Sequence, residues 1–389
     1  MTRDEAVALD AADPLAGFRE RFVLGDGDRI YLDGNSLGRL PVATRERLRA
    51  DVDRWGERLV SGWPDWIDVP ARVGDLLAAH VLGARPGEVL VGDSTTVNLY
   101  KLCAAALDLH AGPLIIERGS FPTDRYVLEG LAAQRGLELR LVDDVAAALD
   151  GAALVVHSHV DYRSGEIADI AGLTERARAA GARVVWDLCH SAGAVAVDLR
   201  AGGAELAVGC TYKYLNGGPG APAFGYVRTG LQQQLQQPLW GWMGAHDPFG
   251  MSRHYQPADD VRRFLTGTPP ILAMQPLKHM VDLIAEAGMD AVRAKSVLLT
   301  EQAISLTDEL LVPLGVELSS PRDAGERGSH ITIDHPRFRD VVGLLWERGV
   351  IPDFRPPHGL RIGLSPLSTS FTELQAGMEA IRDALLEVG

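Results

Sequence analysis

The chain has 389 residues, of which 46% are hydrophobic, and a formal net charge of −14. This length predicts one large domain with a smaller one, and the apolar fraction excludes a disordered chain. The acidic balance argues against a nucleic-acid-binding protein, because the phosphates of DNA or RNA would repel it.

The three cysteines do not form a disulfide framework or a zinc site, since Cys103, Cys189 and Cys210 are odd in number and none lies in a C-x-x-C pair. The N-terminal sequence lacks the apolar stretch of a signal peptide. No apolar run approaches the roughly 20 residues that cross a bilayer. We therefore expect a reduced, cytoplasmic protein that does not contact a membrane.

The first part of the chain predicts a short amphipathic helix and a loop, which end near Gly27. RIYLDGNSLGRLP then predicts a short strand and a Gly/Asn-rich turn, and a helix follows from Val42 to Arg58. The aromatic, proline-bounded segment WPDWIDVP predicts a loop. We interpret residues 1–50 as an N-terminal segment that packs on the small domain.

From about Arg72, short apolar strands alternate with amphipathic helices. The strand segments are EVLVGDS, LIIER, ELRLV, ALVVHSHV, RVVWDLC and ELAVGC. This alternation predicts an α/β fold with a mostly parallel sheet covered on both faces, over residues 51–275. Ligands of such sheets bind at the carboxyl ends of the strands.

After about Gln275 the composition changes. One long helix is predicted from Leu277 to Leu311, and a short αβ pattern follows to the end of the chain. We interpret residues 276–389 as the small C-terminal domain.

Three side chains at one predicted edge of the sheet indicate a cofactor site. Asp187 ends the strand RVVWD, His190 follows it, and Lys213 lies in the turn after ELAVGC. A lysine can form a Schiff base with the aldehyde of pyridoxal 5′-phosphate (PLP), and a buried carboxylate can pair with its ring nitrogen. Taken singly, the aspartate is better explained as a helix cap and the lysine as a solvated turn residue. Taken together, the residues favour PLP.

The segment G-D-S-T-T-V-N ends a strand and opens a helix. Its free backbone N–H groups and the hydroxyls of Ser94, Thr95 and Thr96 suit an anion such as a phosphate. Ordinary N-capping explains the same residues equally well. No G-x-G-x-x-G motif follows the early strands and no P-loop motif occurs, so dinucleotide and P-loop sites lose support.

A metal site is the alternative reading of His157 and His159, which point to one face of a strand. The residues around Lys213 explain the same edge better, and we expect no metal.

Several blocks resemble the kynureninase family. D-L-C-H-S-A-G and C-T-Y-K-Y-L-N-G-G-P-G are similar to its PLP segment, and Y-L-D-G-N-S-L-G, F-P-T-D, G-W-M-G-A-H and F-L-T-G-T-P-P-I-L also resemble family blocks, in its order. The resemblance runs from about residue 20 to about residue 370. It implies a fold-type I PLP enzyme, with a mostly parallel seven-stranded sheet between helices and a smaller α/β C-terminal domain.

The resemblance also implies roles for single residues. Lys213 would be the Schiff-base lysine and proton carrier, with Tyr212 and Asp187 as further catalytic residues. Arg361, Asn35 and Ser36 would bind the substrate. The cofactor-binding residues would be Thr95, Thr96, Phe121, Asp124, Ser158, Asp187, His190, Tyr212, Lys213, Trp242 and Thr268. The last two match positions that reach the cofactor phosphate from a partner subunit, which implies a homodimer with active sites at the interface.

The implied activity is hydrolysis of the Cβ–Cγ bond of L-kynurenine, and of 3-hydroxykynurenine, to anthranilate or 3-hydroxyanthranilate and L-alanine in tryptophan catabolism. Two alternatives stay open on the residues alone. One is another fold-type I enzyme, such as an aminotransferase or a desulfurase, although the loop D-A-G-E-R-G-S-H lacks the cysteine that a desulfurase needs. The other is a non-catalytic PLP-binding protein. Cys189 stands where a small residue is common in the family, and Thr268 stands where some relatives have Asn. These differences leave open which of the two substrates is preferred.

Overall fold

The computed structural model describes residues 3–25, 27 and 29–388. Its strands, in chain order, are β1 (Ile30–Tyr31), β2 (Val89–Val91), β3 (Leu114–Glu117), β4 (Leu139–Val142), β5 (Leu154–Ser158), β6 (Arg183–Asp187), β7 (Leu206–Gly209), β8 (Phe224–Val227), β9 (Glu317–Leu318), β10 (His330–Asp334), β11 (Val350–Ile351), β12 (Asp353–Arg355) and β13 (Gly359–Gly363).

The helices are α1 (Arg3–Ala12), α2 (Val42–Arg58), α3 (Trp63–Trp66), α4 (Val69–Leu77), α5 (Thr95–Leu109), α6 (Pro122–Arg135), α7 (Ile170–Ala179), α8 (Thr229–Gln232), α9 (Ile271–Ala287), α10 (Met289–Leu306), α11 (Phe338–Glu347) and α12 (Phe371–Val388). Short 3-10 turns occupy Ala16–Arg21, Leu59–Gly62, Trp242–Gly244, Val261–Phe264, Val312–Leu314 and Ala324–Glu326, and π turns occupy Ala78–Leu82 and Thr307–Leu311.

A seven-stranded sheet organises the larger part of the molecule. Its strand order is β2-β8-β7-β6-β5-β3-β4. The pairs from β7 through β4 are parallel, and only β8 runs antiparallel to its two neighbours. The predicted α/β fold with a mostly parallel seven-stranded sheet is therefore confirmed.

Helices cover both faces of this sheet. Its central strands are rich in Val, Ile, Leu and Ala and are buried, as expected for parallel strands between two helical layers. On one face the strands pack with Val73 of α4, Leu173 of α7 and Leu277 of α9. On the other face they pack with Leu102 of α5 and Leu128 of α6. The sheet is therefore packed on both faces, and the loops at its carboxyl edge extend from buried strands.

The C-terminal part is a smaller α/β layer. Its antiparallel sheet has the order β12-β13-β10-β9 and packs with α10, α11 and α12 in a separate apolar cluster. The N-terminal segment joins this layer, because β1 pairs in parallel with β11 and the Asp10 carboxylate accepts hydrogen bonds from the backbone N–H groups of Phe371 and Thr372. The division into domains at residues 50 and 275 stays a prediction, and residues 1, 2, 26, 28 and 389 within its ranges lie outside the described residues.

The long helix predicted from Leu277 to Leu311 is wrong. The chain forms α9 and α10, which are separated at Gly288, and the stretch Thr307–Leu311 is a π turn. Gly288 has φ 79° and ψ 133°, a conformation that glycine adopts without the strain of a side chain.

The loop predicted for WPDWIDVP is also wrong in part. Trp63–Trp66 forms the short helix α3, and α4 begins at Val69. Pro64 and Pro70 lie in the first turns of these helices, where a missing N–H costs nothing and the fixed φ is already helical. The helices predicted over Val42–Arg58 and TTVNLYKLCAAALDL are confirmed.

Within the described part of the chain, every helix is too short or too polar to cross a membrane.

Candidate active site

The carboxyl ends of three adjacent strands bring the predicted site residues to one edge of the large sheet. Ser158 ends β5 and is the register partner of Asp187, which ends β6. Asp187 in turn pairs with Val208 of β7, and the chain continues from that strand into the turn that carries Lys213. The fold therefore places this lysine and aspartate, 26 positions apart in the sequence, at the same edge.

The Lys213 amine lies between a histidine and two aromatic rings. Its Nζ is 3.0 Å from His190 Nε2, and 6.0 and 5.9 Å from the ring centroids of Phe121 and Tyr212. Burial, followed by the charge of Lys213, lowers the pKa of His190 well below its usual range. A histidine that stays neutral can accept a hydrogen bond from the lysine amine.

The N-terminal segment packs against the turn that carries Lys213. The Gly38 N–H donates to the Tyr212 carbonyl at 2.8 Å. A Cβ at Gly38 would lie 2.4 Å from the Lys213 carbonyl oxygen. The second glycine of D-G-N-S-L-G is therefore required because two backbones meet there.

Two buried carboxyl groups lie at the same edge. Asp187 Oδ1 accepts from the Cys189 N–H at 2.8 Å, and Asp124, in the first turn of α6, is 3% exposed. Asp124 Oδ2 is buried and has no hydrogen-bond partner. Burial, and then the proximity of Asp187, raise the pKa of Asp124 well above its usual range. Two buried carboxyl groups this close favour a proton or a cationic partner between them.

The N-terminus of α5 faces the same region. Ser94 Oγ accepts from the Val97 N–H at 3.3 Å, and the Thr95 hydroxyl lies 4.0 Å from the Cys189 sulfur. The loop that precedes α5 is anchored by a buried ion pair, with Lys101 Nζ 2.7 Å from Asp93 Oδ2. Sequence reasoning missed this anchor, because the two residues look like ordinary charges in a turn and a helix.

A second cluster surrounds Arg361 of β13, whose side chain is 1% exposed. Its Nη1 donates to the Tyr162 carbonyl at 2.7 Å and its Nη2 to Ser36 Oγ at 3.0 Å. With its amide oriented to suit both neighbours, Asn35 accepts from Arg361 Nε and donates to Asp33 Oδ1, both at 3.2 Å. The structure thus brings together the three residues expected to bind the substrate.

Residues that the sequence did not single out complete this region. Asp353 pairs with Arg361 from the neighbouring strand. His330 is fully buried, and its ring lies 5.7 Å from that of His190. Burial, and then Arg361, lower the pKa of His330 well below its usual range. Asp353 and His330 come from the C-terminal layer, and no local motif marks them.

Three expected site residues line cavities or aromatic clusters that do not include Lys213. Ser158 lines a cavity of about 620 Å³ together with His157 and Arg163. Trp242 stacks edge-on against Trp63 and Phe249 at centroid distances of 5.6 and 5.8 Å. Thr268 lines an apolar cavity of about 410 Å³ with Trp55, Trp63 and Trp66. Trp242 and Thr268 therefore belong to an aromatic surface of this chain.

The alternative metal reading gains no support from the geometry. His157 Nδ1 lies 3.8 Å from Glu117 Oε2, and the ring of His159 packs on Trp186. Over the residues that the structure describes, no group of three or more His, Cys, Asp or Glu side chains is placed to hold a metal ion.

Asp33 gives the site region a measurable pH dependence. Burial, and then Asp353, raise the pKa of Asp33 from 3.8 to about 6. The folded protein therefore favours the protonated carboxyl: this contribution to stability is full below the unfolded pKa and is lost as pH rises through about 6. The difference between the two pKa values corresponds to about 3 kcal/mol. We expect Asp33→Asn to raise Tm at pH 8, with a gain that shrinks towards zero near pH 4.

The control for this measurement is Asp308→Asn. Asp308 forms an exposed pair with Arg322, and this hydrogen bond lowers the pKa of the aspartate. Its replacement should give no gain in Tm at pH 8. A Tm for Asp33→Asn that is equal to or below that of the parent at pH 8 would contradict the argument.

Comparisons with known proteins identify one family for this chain. Residues 292–381 match the family model of the kynureninase C-terminal domain. A kynureninase of Burkholderia pseudomallei (strain K96243) is 44% identical over 99% of this chain and 95% of its own length. A kynureninase of Pseudomonas fluorescens is 42% identical over the same shares.

Solved structures show the same fold at low identity. A cysteine desulfurase from Thermococcus onnurineus NA1 has a TM-score of 0.83 at 19% identity and covers 95% of this chain and 98% of its own. A variant of C-DES with glycine covalently linked to its PLP cofactor has a TM-score of 0.83 at 17% identity, with coverages of 94% and 99%.

Proposed function

The chain belongs to the kynureninase family, and from this premise we propose how its own residues catalyse the PLP-dependent hydrolysis of L-kynurenine, and of 3-hydroxykynurenine, to an anthranilate and L-alanine. The observation that carries the proposal is the meeting of Lys213, His190 and Asp187 at one sheet edge. The buried Arg361 gives that site a cation for the substrate carboxylate. A planar guanidinium suits this task, because it can donate two parallel hydrogen bonds to a carboxylate.

The donor set fits pyridoxal phosphate. The cofactor supplies an aldehyde that bonds to an amine and an electron-poor ring that accepts the electron pair of the breaking bond. The buried Asp124–Asp187 pair suits a protonated ring nitrogen, because such carboxyl groups favour a cationic partner and Asp124 Oδ2 has no hydrogen-bond partner within the protein. Phe121 lies beside the lysine amine and offers an apolar face to the ring.

We assign the cofactor phosphate to Thr95 and Thr96 at the N-terminus of α5, a helix of 15 residues whose first N–H groups suit an anion. Trp242 and Thr268 of one protomer would reach the phosphate in its partner, and Ser158 and His190 would complete the cofactor site. Support for the homodimer comes from the exposed apolar surface around Trp242, where Trp55 and Phe249 are each 54% exposed.

Lys213 carries the proton transfers at the substrate Cα. Its neutral amine removes the proton from Cα, and the neutral ring of His190, 3.0 Å away, accepts a hydrogen bond without taking a full charge. Water then adds to the γ-carbonyl carbon, the Cβ–Cγ bond breaks to release anthranilate, and protons added at Cβ and at Cα leave L-alanine. The role of Arg361 in this sequence is to hold the α-carboxylate, which fixes Cα beside the lysine.

Tyr212 is the candidate acid–base group at the γ-carbonyl. Burial, and then Cys210, raise the pKa of Tyr212 above its usual value, so the phenol keeps its proton at neutral pH and can donate it. We expect Tyr212→Phe to lower kcat by about 10²-fold, the lower end of general acid–base effects, measured as steady-state release of anthranilate.

Tyr226→Phe is the matched control for this substitution. Tyr226 lies in β8, and its hydroxyl donates to the Ala204 carbonyl, before the start of β7 and so at the sheet edge away from the site. Its loss should leave kcat within about twofold. Full turnover by Tyr212→Phe would remove Tyr212 from the mechanism.

The division into an N-terminal segment (1–50), a large domain (51–275) and a small domain (276–389) is part of this proposal. Its support is the pairing of β1 with β11 and the separate apolar cluster of the C-terminal layer. We also propose a cytoplasmic location, which the free and buried state of Cys103, Cys189 and Cys210 supports.

The direct test is to mix the purified protein and PLP with L-kynurenine and to measure both products. Anthranilate and alanine should form in equal amounts. An aminotransferase would consume a keto acid instead, and a PLP carrier would release neither product.

A further inference from the structure

One edge of the Arg361 guanidinium is occupied by a carboxylate from the next strand. Arg361 Nε donates to Asp353 Oδ2 at 2.7 Å, with the Asn35 amide oxygen as a second, longer acceptor at 3.2 Å, and Nη2 also contacts Asp353 Oδ2. The two residues are direct register partners in the β12–β13 pair, so the backbone places one opposite the other.

The remaining donors of Arg361 define the face that is left for a ligand. Nη1 uses one hydrogen for the Tyr162 carbonyl, and Nη2 donates to the hydroxyl of Ser36. A guanidinium has five N–H groups. The second N–H of Nη1 remains, and the Ser36 hydroxyl can rotate away from Nη2. The end of the guanidinium, with Nη1 and Nη2, is therefore the face that can receive a substrate carboxylate.

Asp353 is itself held in place. Arg355 Nε donates to the same Asp353 oxygen at 2.7 Å, and the side chain of Asp353 is only 18% exposed. The cluster contains two arginines and two carboxylates, Arg355, Arg361, Asp33 and Asp353, whose charges balance. A substrate carboxylate would bring a further negative charge to this cluster at Arg361, which is the buried one of its two arginines.

We propose that Asp353 is a positioning residue, which fixes the guanidinium of Arg361 so that its Nη1–Nη2 end faces the substrate α-carboxylate. This inference rests on the proposed function. Its physical basis is that a bidentate pair needs the planar group in one orientation, and a guanidinium without its edge partner turns about its side chain. Asp353 would touch neither substrate nor cofactor, so its effect should appear in binding of the carboxylate alone.

The test compares two ligands that differ only in the α-carboxylate. L-Kynurenine carries it, and the decarboxylated amine kynuramine lacks it. In the PLP-loaded enzyme, we expect Asp353→Asn to raise KM for L-kynurenine about tenfold while kcat stays within about threefold. The inhibition constant of kynuramine should stay within about twofold of the parent value. Asp353→Glu, which keeps the charge, should raise KM less.

Asp340→Asn is the control, because Asp340, in the first turn of α11, forms an exposed pair with Arg337, the residue before that helix. It should change neither KM nor the inhibition constant. If Asp353→Asn does not fold, KM for L-kynurenine and the inhibition constant of kynuramine are measured in Asp353→Glu instead. A ratio of KM to inhibition constant above that of the parent supports the proposal, and an unchanged ratio overturns it.

The remaining outcomes separate the inference from the function. An active parent enzyme whose KM is unchanged or lowered in Asp353→Asn overturns the inference alone, and a lowered KM would mean that Asp353 competes with the substrate. An equal rise in both constants would show a general loss of site structure and would also overturn it. A parent that releases no anthranilate overturns the proposed function, and this inference falls with it.

Discussion

Lys213→Ala is expected to abolish turnover, with kcat lower by about 10⁴-fold, the upper end of what a positioned proton carrier contributes. Among the residues around the site, only Lys213 combines an amine with a place between His190 and the aromatic rings of Phe121 and Tyr212. Alanine removes both the covalent link to the cofactor and the group that moves the Cα proton. The measurement is anthranilate release in single-turnover and steady-state assays.

Two further measurements sharpen this prediction. Lys278→Ala, which removes an exposed lysine that pairs with Asp282 on α9, should keep full activity. Cofactor should still bind to Lys213→Ala, because the Asp124 and Asp187 carboxyl groups and the N-terminus of α5 remain. A small primary amine in the buffer should restore part of the proton transfer. An alanine variant with parent-like kcat would remove Lys213 from the site.

Asp187→Asn is expected to lower kcat by about 10²–10³-fold, comparable to the loss of one preorganised electrostatic contact in an active site. The amide keeps the size of the carboxylate and can still accept from the Cys189 N–H at the position of Oδ1. Only the negative charge that stabilises a protonated ring nitrogen is lost. The substitution therefore separates the electrostatic role from the structural one, because a turn-capping aspartate would tolerate it.

Asp169→Asn provides the comparison. Asp169 caps α7, with its carboxylate accepting from the Gly172 N–H at 2.9 Å, and asparagine is an equally good cap. This variant should show parent-like kcat and Tm. If Asp187→Asn matched it in activity, Asp187 would be a turn residue and the cofactor nitrogen would need another partner.

Local patterns predicted those parts of the fold that local forces determine. The helix Thr95–Leu109 begins at the Ser94 cap, and the strands end where their apolar runs end, so both were visible in the sequence. The break at Gly288 was not, because apolar residues continue on both sides and one glycine costs a helix only about 1 kcal/mol. The helix at Trp63–Trp66 was hidden by prolines, which break a helix in its interior but suit its first turn.

In the candidate site, too, some residues were predictable from local sequence and others were not. Asp187 and Lys213 were predicted together, because adjacent parallel strands bring their carboxyl ends to one edge. Asp353 and His330 were missed, because their places depend on how the C-terminal sheet packs against the large one. Asp33 reaches the cluster only because its backbone bridges to Gly363, far along the chain. Such contacts between distant segments have no signature in one sequence.

The measurement that tests the central claim most directly is the reaction of the PLP-loaded enzyme with L-kynurenine in water enriched in oxygen-18. The account predicts anthranilate with one heavy oxygen in its carboxylate and an equal amount of unlabelled alanine, because water adds to the γ-carbonyl carbon before the Cβ–Cγ bond breaks. Consumption of L-kynurenine without labelled anthranilate, or with formation of a keto acid in place of alanine, would contradict it.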